Sequence, residues 1–317
     1  MTLRALICAA CLAAAPLASA EIAIVLNSAD ETVSLVDTST YKEIKRVRVG
    51  KEPHHLMPTP DDKQLLVANA VSNDMAVLDP ITGELTGRVP NISDPYQLAF
   101  SPDGKWFLSI SNRLDRVDVY QANGYKLVKR FPTGKVPSHV IFDAKSQFAF
   151  VTIQESNEVT AIDLAKMEIA WTVPVGKQPA GIWRTPDDKY LLVGITGEDY
   201  VEVIDWRTRQ TVKKIKTGLG AHNFLPKGDG RHVFLSNRMG NTISIIDQQT
   251  LAVVDTLQAP GGPDDMEITK DGTQLWYTGR FSRKVWVIDL TTKKVAQSIA
   301  VGRSPHGVYF HTHGARQ

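Results

Sequence analysis

The sequence predicts an all-β protein made of repeats, and three observations support this prediction. A Gly-x-x-Pro segment returns at a step of 42 residues, as Gly134 and Gly176 show, and the glycine recurs at Gly218, where Ala221 replaces the proline. An aspartate ladder keeps the same step, from Asp163 to Asp205. The segments between these marks are short runs of β-branched and aromatic residues, separated by turn signals and without helical periodicity. A period of this length is typical of propeller blades with four strands each.

Each repeat can be assigned strand by strand. The Gly-x-x-Pro segment should lead the chain from the outer strand of one blade to the inner strand of the next, because proline restricts the start of a strand. A turn such as that at 102–104 then reverses the chain into the second strand. A polar loop with an asparagine or aspartate, for example Asn157, leads to the third strand. The third strand ends at the aspartate ladder, whose side chains should bond turn backbone two residues on.

Counting the repeats predicts a seven-bladed β-propeller with four-stranded blades of 42 residues. Residues 21–317 number 317 − 20 = 297, which is about seven such blades. This part begins at the second strand of a blade, because Asn27 lies 42 residues before Asn69. It ends with an unaccompanied inner strand at 305–310. We therefore expect the C-terminal strand to close the first blade, which removes the free sheet edges of a linear array.

The first twenty residues are predicted to be a signal peptide. They contain one basic residue, an apolar stretch at 5–15 and an Ala-x-Ala motif at 18–20. The apolar stretch is too short to span a bilayer. We therefore expect export to a periplasm, cleavage after Ala20 and one propeller domain over 21–317. A lipoprotein acylated at Cys11 is the alternative.

Cysteine use and charge narrow the range of functions. Both cysteines, Cys8 and Cys11, lie in the predicted leader, so disulfides, thiolate metal sites and covalently attached c-type haem are not expected in the exported part. The leader also holds one of the 36 basic residues and none of the 34 acidic ones, which leaves 35 − 34 = +1. A balance so close to neutral gives no general attraction to nucleic acid. We expect a monomer with no membrane span and no nucleic-acid partner.

The repeat resembles a known family. The fragments Val-Gly-Arg-Ser-Pro-His-Gly at 301–307 and Phe-Ser-Pro-Asp-Gly-Lys at 100–105 look like the YVTN-type β-propeller repeat of the YncE-like kind. The resemblance covers 21–317; it implies the propeller fold and leaves the activity open. The architecture is also similar to the haem-binding propeller domain of periplasmic cytochrome-type nitrite reductase, to streptogramin lyases and to lactonase-type propellers. These resemblances imply a tetrapyrrole or a divalent metal as candidate cofactors.

Departures from the repeat consensus are the candidate functional residues, because the shared residues specify the blade. They concentrate at the two positions after the proline of each Gly-x-x-Pro segment. These positions begin the inner strands and should rim the mouth of the central channel. Five of the eight histidines occupy them. The candidate ligand-binding residues at these positions are His54, His55, Tyr96, His139, His222, Asn223, Asp264, Asp265 and His306.

Three interpretations of the histidines stay open. In the first they are repeat consensus and serve backbone hydrogen bonds at the crossings. In the second they hold a metal ion or the axial position of a tetrapyrrole, with Asp264 and Asp265 opposite. In the third they bind an organic ligand or a partner protein. For a metal ion the candidate ligands are His54, His139, His222 and His306.

Arginines on loops of the same face indicate the charge of the ligand. Arg113, Arg238 and Arg280 would together make a locally positive funnel at the channel mouth. We therefore expect a protein that binds a small anionic or tetrapyrrole-like ligand, or a periplasmic partner protein. The alternative is a metal-dependent lyase or lactonase-type enzyme that uses the same histidines. Nucleophilic catalysis has no support, since the sequence contains no nucleophile elbow and its cysteines lie in the leader.

Overall fold

The structure, a computed structural model, describes residues 21–315. These residues form seven four-stranded antiparallel sheets. The seven inner strands contact one another in a closed ring, each touching the inner strands of the two neighbouring sheets. The predicted seven-bladed β-propeller is thereby confirmed. The predicted signal peptide, with Cys8 and Cys11, lies outside the described residues.

Every blade runs from an inner strand at the channel to an outer strand at the rim. Residues 21–315 contain one short 3-10 turn, Ser28–Asp30, and no helix with the length and hydrophobicity needed to cross a membrane. The first three blades contain β1 (Ile22–Asn27), β2 (Thr32–Asp37) and β3 (Lys42–Arg48); β4 (Pro53–Pro58), β5 (Leu65–Asn69), β6 (Asp74–Leu78) and β7 (Leu85–Pro90); and β8 (Pro95–Phe100), β9 (Trp106–Ser111), β10 (Arg116–Gln121) and β11 (Leu127–Pro132). The fourth and fifth contain β12 (Pro137–Phe142), β13 (Phe148–Ile153), β14 (Glu158–Asp163) and β15 (Glu168–Pro174); and β16 (Pro179–Arg184), β17 (Tyr190–Ile195), β18 (Tyr200–Asp205) and β19 (Gln210–Lys216). The last two contain β20 (Ala221–Pro226), β21 (His232–Asn237), β22 (Thr242–Asp247) and β23 (Ala252–Gln258); and β24 (Pro263–Ile268), β25 (Gln274–Gly279), β26 (Lys284–Asp289) and β27 (Lys294–Ala300), after which comes β28 (Pro305–Tyr309).

The C-terminal strand closes the ring, as predicted. β28 pairs antiparallel with β1, and Ile24 lies opposite Tyr309 in this pairing. β28 is therefore the inner strand of the first blade. A hydrophobic cluster that includes Val25, Trp276 and Val308 joins this blade to the seventh. Trp276, which the repeat phase places in the core between blades, is fully buried there.

Packing between blades explains the strand sequences. All five residues of β5 are buried, because neighbouring blades cover both faces of a middle strand. Ile24 of the first blade and Leu65 of the second, for instance, belong to one hydrophobic cluster. The outer strands are exposed and charged, as Lys213 and Lys214 in β19 show. Lysine on an edge strand discourages pairing with another chain.

The two faces of the propeller differ. The Gly-x-x-Pro crossings and the Asn/Asp loops share one face, which we call the upper face, and the Pro-Asp-Gly-type turns lie on the lower face. Asn157 Oδ1 accepts a hydrogen bond of 2.8 Å from the N–H of Gln178, in the crossing that enters the next blade. At the end of the third strand, Asp205 Oδ1 accepts from the N–H of Arg207 at 3.1 Å, as predicted for the aspartate ladder. The consensus residues therefore tie blades together and close turns.

Candidate functional site

A bulge at the start of each inner strand aims the candidate side chains into the channel. In β4 the register shifts between Pro53 and Leu56, so that the inner strand has one residue more than β5 over this stretch. The same shift occurs in the other six inner strands. A bulge redirects side chains locally. Here it lets two consecutive residues, His54 and His55, join one cluster.

Three buried histidines from two blades meet in the channel. His54 and His55 lie on β4, and His306 lies on β28 of the first blade. His306 Nε2 is 3.0 Å from His54 Nδ1, which in turn is 3.0 Å from His55 Nδ1. One ligand atom from each ring lies within 4.8 Å of the others. We call these three residues the histidine trio.

Tyr96, His139 and His222 extend the trio round the channel. The Tyr96 ring lies over that of His54, with 3.7 Å between centroids. His139 meets His55 edge-on at one side and His222 at the other, with 5.4 Å between centroids in both pairs. Aromatic side chains from five blades therefore converge in one layer. We call the trio together with these three residues the histidine layer.

Asp264 connects the histidine layer to two arginines of the upper face. His306 Nδ1 donates to its buried carboxylate at 2.5 Å, and His222 Nε2 lies 3.1 Å from the same group. Arg238 also donates to this carboxylate, and the Nε of Arg280 lies 3.8 Å from it. One carboxylate thus faces two guanidinium groups and two imidazoles.

Burial and neighbouring charges set the protonation of this region. Burial lowers the pKa of His55 and of His222 to about 4 and holds the pKa of His306 well below its ordinary value. Burial alone would raise the pKa of Asp264, but Arg238 and two imidazoles hold it well below the ordinary value. Near neutral pH the imidazoles are therefore neutral and the carboxylate is ionised. Arg238, Arg280 and Asp264 together therefore carry a net charge of 2 − 1 = +1.

Several buried nitrogens of this region have no hydrogen-bond partner among residues 21–315. They are His139 Nε2, His222 Nδ1 and Arg238 Nε. Buried polar atoms in proteins are paired in the large majority of cases. These nitrogens therefore mark positions at which a bound molecule would gain hydrogen bonds.

The remaining predicted residues lie outside the histidine layer. Asn223 Nδ2 donates to Asp265 Oδ1 at 3.0 Å, and both residues border a cavity of about 240 Å³ in the channel. Arg113 does not join the cluster. Its guanidinium donates to Asp94 at 2.9 Å and to Glu52 at 3.0 Å, so its charge is neutralised on the upper face.

The structure corrects one expectation about position and adds a detail to another. The repeat phase predicts that the histidines rim the mouth of the channel, whereas all five lie buried within it. Trp183 lies on the inner strand β16, and its phase in the repeat favours a position in the core between blades. Trp183 packs against a core cluster but borders the channel cavity as well, where its Nε1 donates to Gln248 Oε1 at 2.8 Å.

Two further residues support the site and are missed by the sequence argument. Ser138 Oγ lies 2.9 Å from His139 Nδ1, and Gln97 Oε1 accepts from the N–H of Val140 at 2.7 Å. Gln97 also borders the channel cavity. Both lie within two positions after the proline that begins an inner strand, and this position in the repeat is the signal that could have identified them.

Solved structures of the same fold share little sequence with this chain. A functionally unknown protein from Desulfotomaculum acetoxidans DSM 771 has a TM-score of 0.78 and 14% identity, over 93% of this chain and 100% of that chain. The dihydro-heme d1 dehydrogenase NirN in complex with DHE has a TM-score of 0.66 and 16% identity, over 92% and 75%. A candidate 6-phosphogluconolactonase from Bacteroides uniformis ATCC 8492 has a TM-score of 0.73 and 18% identity, over 92% and 99%. Identities this low show the shared fold alone.

The sequence itself gives the family. No curated protein matches it significantly. Residues 1–316 match the YNCE-like beta-propeller family, in agreement with the repeat and the seven blades. The chain belongs to the YNCE-like β-propeller family.

Proposed function

We propose that this protein is an exported, monomeric binding protein that takes a small anionic ligand at the upper end of the channel, between Arg238 and Arg280. The observation that carries the proposal is that these two arginines share one buried carboxylate, that of Asp264. The arginine side chains are 21% and 22% exposed, whereas that of Asp264 is 1% exposed. An anion arriving from the upper face therefore meets the guanidinium groups before the carboxylate.

The guanidinium of Arg280 is weakly engaged. Its contacts to Ser28 Oγ and to the carbonyl of Ser304 are long, at 3.5 and 3.4 Å. A guanidinium offers five N–H donors in a planar fork that matches carboxylate and phosphate groups. Hydrogen bonds are stronger where water is largely excluded, as it is beside the buried histidine layer. A carboxylate or phosphate ligand therefore suits this position.

A tetrapyrrole does not fit the described residues. Axial ligation requires an imidazole nitrogen that reaches the macrocycle, but His54, the most exposed of the four candidate ligands, is only 6% exposed. The channel cavity of about 240 Å³ is smaller than the roughly 300–1,000 Å³ of typical small-molecule sites. We therefore propose a small anion rather than a macrocycle.

Titration calorimetry of the untagged protein with small carboxylates and phosphates tests the proposal. Arg280→Gln should weaken binding by at least about tenfold, because charged hydrogen bonds contribute about 1.5–3 kcal/mol. Arg113→Gln is the matched control on the same face and should bind like the wild type, since Arg113 is already paired with Asp94 and Glu52. Failure of every anion to bind, or equal binding by Arg280→Gln, would contradict the proposal.

A second candidate function is recognition of a periplasmic partner protein by the upper face. Its loops carry exposed apolar side chains, which is the specific observation in its favour. Replacing Phe281 by a photo-crosslinking residue should trap one partner in cells, and the same probe at Val212 on an outer strand should not. The exposed apolar residues of the upper face are Val71, Leu114, Leu219, Met239 and Phe281.

Export is part of the proposed function. Mass spectrometry of the protein from its host should find an N-terminus at Glu21, because cleavage is predicted after Ala20. A retained leader, or a lipid on Cys11, would replace the proposed free periplasmic protein with a membrane-anchored one.

A further inference from the structure

The contacts inside the histidine trio cannot all be hydrogen bonds. A neutral imidazole has one N–H donor and one acceptor nitrogen. The ionised carboxylate of Asp264 only accepts, so His306 Nδ1, 2.5 Å away, carries a proton and its Nε2 presents a lone pair. The main-chain carbonyl of Tyr96 also only accepts, so His55 Nδ1, 2.7 Å away, carries a proton.

His54 Nδ1 lies 3.0 Å from the unprotonated Nε2 of His306 and 3.0 Å from the protonated Nδ1 of His55. If it is protonated, it donates to His306 but its hydrogen opposes that of His55. If it is unprotonated, it accepts from His55 but its lone pair opposes that of His306. With neutral imidazoles, either form leaves one repulsive contact inside a buried cluster, where unpaired polar atoms are costly.

We propose that the histidine trio binds a divalent transition-metal ion of the zinc, copper, nickel or cobalt class. Such an ion takes the lone pairs of His54 Nδ1 and His306 Nε2, which removes the repulsion. The third ligand atom would be His55 Nε2, because His55 Nδ1 carries the proton that it donates to the carbonyl of Tyr96. Imidazole suits these metals, whereas magnesium and calcium prefer oxygen ligands.

The spacing of the ligand atoms agrees with this class of ion. At a metal–nitrogen distance of about 2.05 Å, nitrogens in a tetrahedral site lie about 3.3 Å apart. His306 Nε2 and His54 Nδ1 are 3.0 Å apart. The pair would therefore need to separate by about 0.3 Å to hold the ion.

Asp264 is the positioning residue of this site. Histidine ligands commonly donate their second N–H to a carboxylate, which fixes the ring and strengthens it as a ligand. Asp264 stands in this relation to His306. Its negative charge also offsets that of Arg280, which opposes a cation.

Three protein ligands leave one position free in a four-coordinate site. His55 also borders the channel cavity of about 240 Å³, which gives an approach to the ion. The alternative of a metal-dependent lyase or lactonase would need such a free position. The metal site goes beyond the proposed anion site and does not depend on it, since Arg280→Gln leaves the trio intact.

Metal titration of untagged, EDTA-treated protein tests the inference. With Co²⁺ we expect one ion per chain and the visible absorption bands of a nitrogen-rich tetrahedral site; with Zn²⁺ we expect the same stoichiometry by calorimetry. His306→Gln should weaken binding by at least about a hundredfold, and Asp264→Asn by about 10–100-fold, the effect of losing a carboxylate behind a ligand. His232→Gln, at a lower-face turn where it pairs with Asp229, is the matched control and should bind as the wild type does.

The change in Tm on adding Zn²⁺ provides a second test, which can be applied even if a variant of the histidine trio is less stable than the wild type. Zn²⁺ should raise the Tm of the wild type and of His232→Gln, because a ligand of the folded state stabilises it. It should not raise the Tm of His54→Gln. Wild-type protein that binds well under one equivalent and shows no rise in Tm overturns the inference, as does His306→Gln that binds metal normally.

Discussion

At the scale of single residues, the carboxylate of Asp264 has two imidazoles and two guanidinium groups as neighbours and almost no contact with solvent. The equivalent position in other blades carries histidine, tyrosine, serine or alanine. The charge of this one residue therefore stabilises both arginines near the channel. Its replacement should affect stability as well as binding.

Asp264→Asn keeps the shape of the side chain and removes its charge. Breaking a buried ion pair by removing one partner costs about 3–5 kcal/mol, and we expect about 3 kcal/mol because Arg238 and Arg280 can partly turn to water. Urea denaturation measures the loss. Asp255→Asn, which removes an exposed pair with Lys293 on an outer strand, should cost about 1 kcal/mol or less. Equal stability of the two variants would show that the carboxylate is not the required counter-charge.

The aspartate ladder gives the protein a predictable response to acid. A hydrogen bond from Arg231, acting against desolvation and aided by backbone N–H groups of the turn, lowers the pKa of Asp247 from 3.8 to about 2. A carboxyl whose pKa is lowered in the folded state contributes stability above its unfolded pKa and loses it as pH falls through the folded value. The Tm difference between wild type and Asp247→Asn should therefore be full above pH 4 and shrink toward pH 2. A difference that stays constant over this range would contradict the prediction.

At the scale of elements, the loop between the second and third strands of a blade holds that blade to the next one through a hydrogen bond. Asn157 has a left-handed backbone conformation, with φ of 57°, and its side chain bonds the crossing into the next blade. Asparagine meets both demands, because it tolerates this conformation and offers a carbonyl oxygen.

Three substitutions separate the two roles of Asn157. Asn157→Gly keeps the conformation and loses the hydrogen bond, for a cost of about 1 kcal/mol. Asn157→Ala loses the bond and adds backbone strain, for a total of about 2 kcal/mol. Asn157→Asp keeps an acceptor and should stay close to wild type. Urea midpoints in the order Asp, Gly, Ala would support this account, and equal midpoints for Gly and Ala would refute its conformational part.

The strands and turns were predictable from the sequence because the same pattern recurs in seven repeats. A pattern that arises by chance would not recur at a constant step of 42 residues. Much of the candidate site was not predictable from the sequence. The inner-strand bulge, which turns His54 and His55 to one cluster, leaves no mark in the repeat spacing. Burial of the histidines depends on how side chains from different blades fill the channel. The repeat phase could have separated Arg113 from the other two arginines. Arg238 and Arg280 occupy the same position of the repeat, and the residue at that position in the third blade is Asn112, one residue before Arg113.

At the scale of the whole molecule, one strand pairing joins the first and last strands of residues 21–315. Without β28, β1 becomes a free edge and the hydrophobic cluster between the first and seventh blades loses Val308. The free energy of unfolding of a whole domain is about 5–15 kcal/mol. A missing strand can remove most of that.

Deletion of 303–317 should therefore leave a protein that aggregates or melts at a much lower temperature than the full chain. A circular permutant supplies the control. Joining residue 317 to residue 21 through a short linker and opening the lower-face turn at 228–230 keeps every strand and should preserve the Tm to within a few degrees. Differential scanning calorimetry of both proteins compares them. A truncated chain that melts like the full one would show that the last strand is dispensable.

The position of the histidine trio at this closure sets when the site can exist. His306 follows His54 by 252 residues, and it lies on β28, the last strand of residues 21–315. A nascent chain emerges N-terminus first, so His54 and His55 leave the ribosome before His306. The proposed metal site can therefore form only after β28 has been made and has paired with β1.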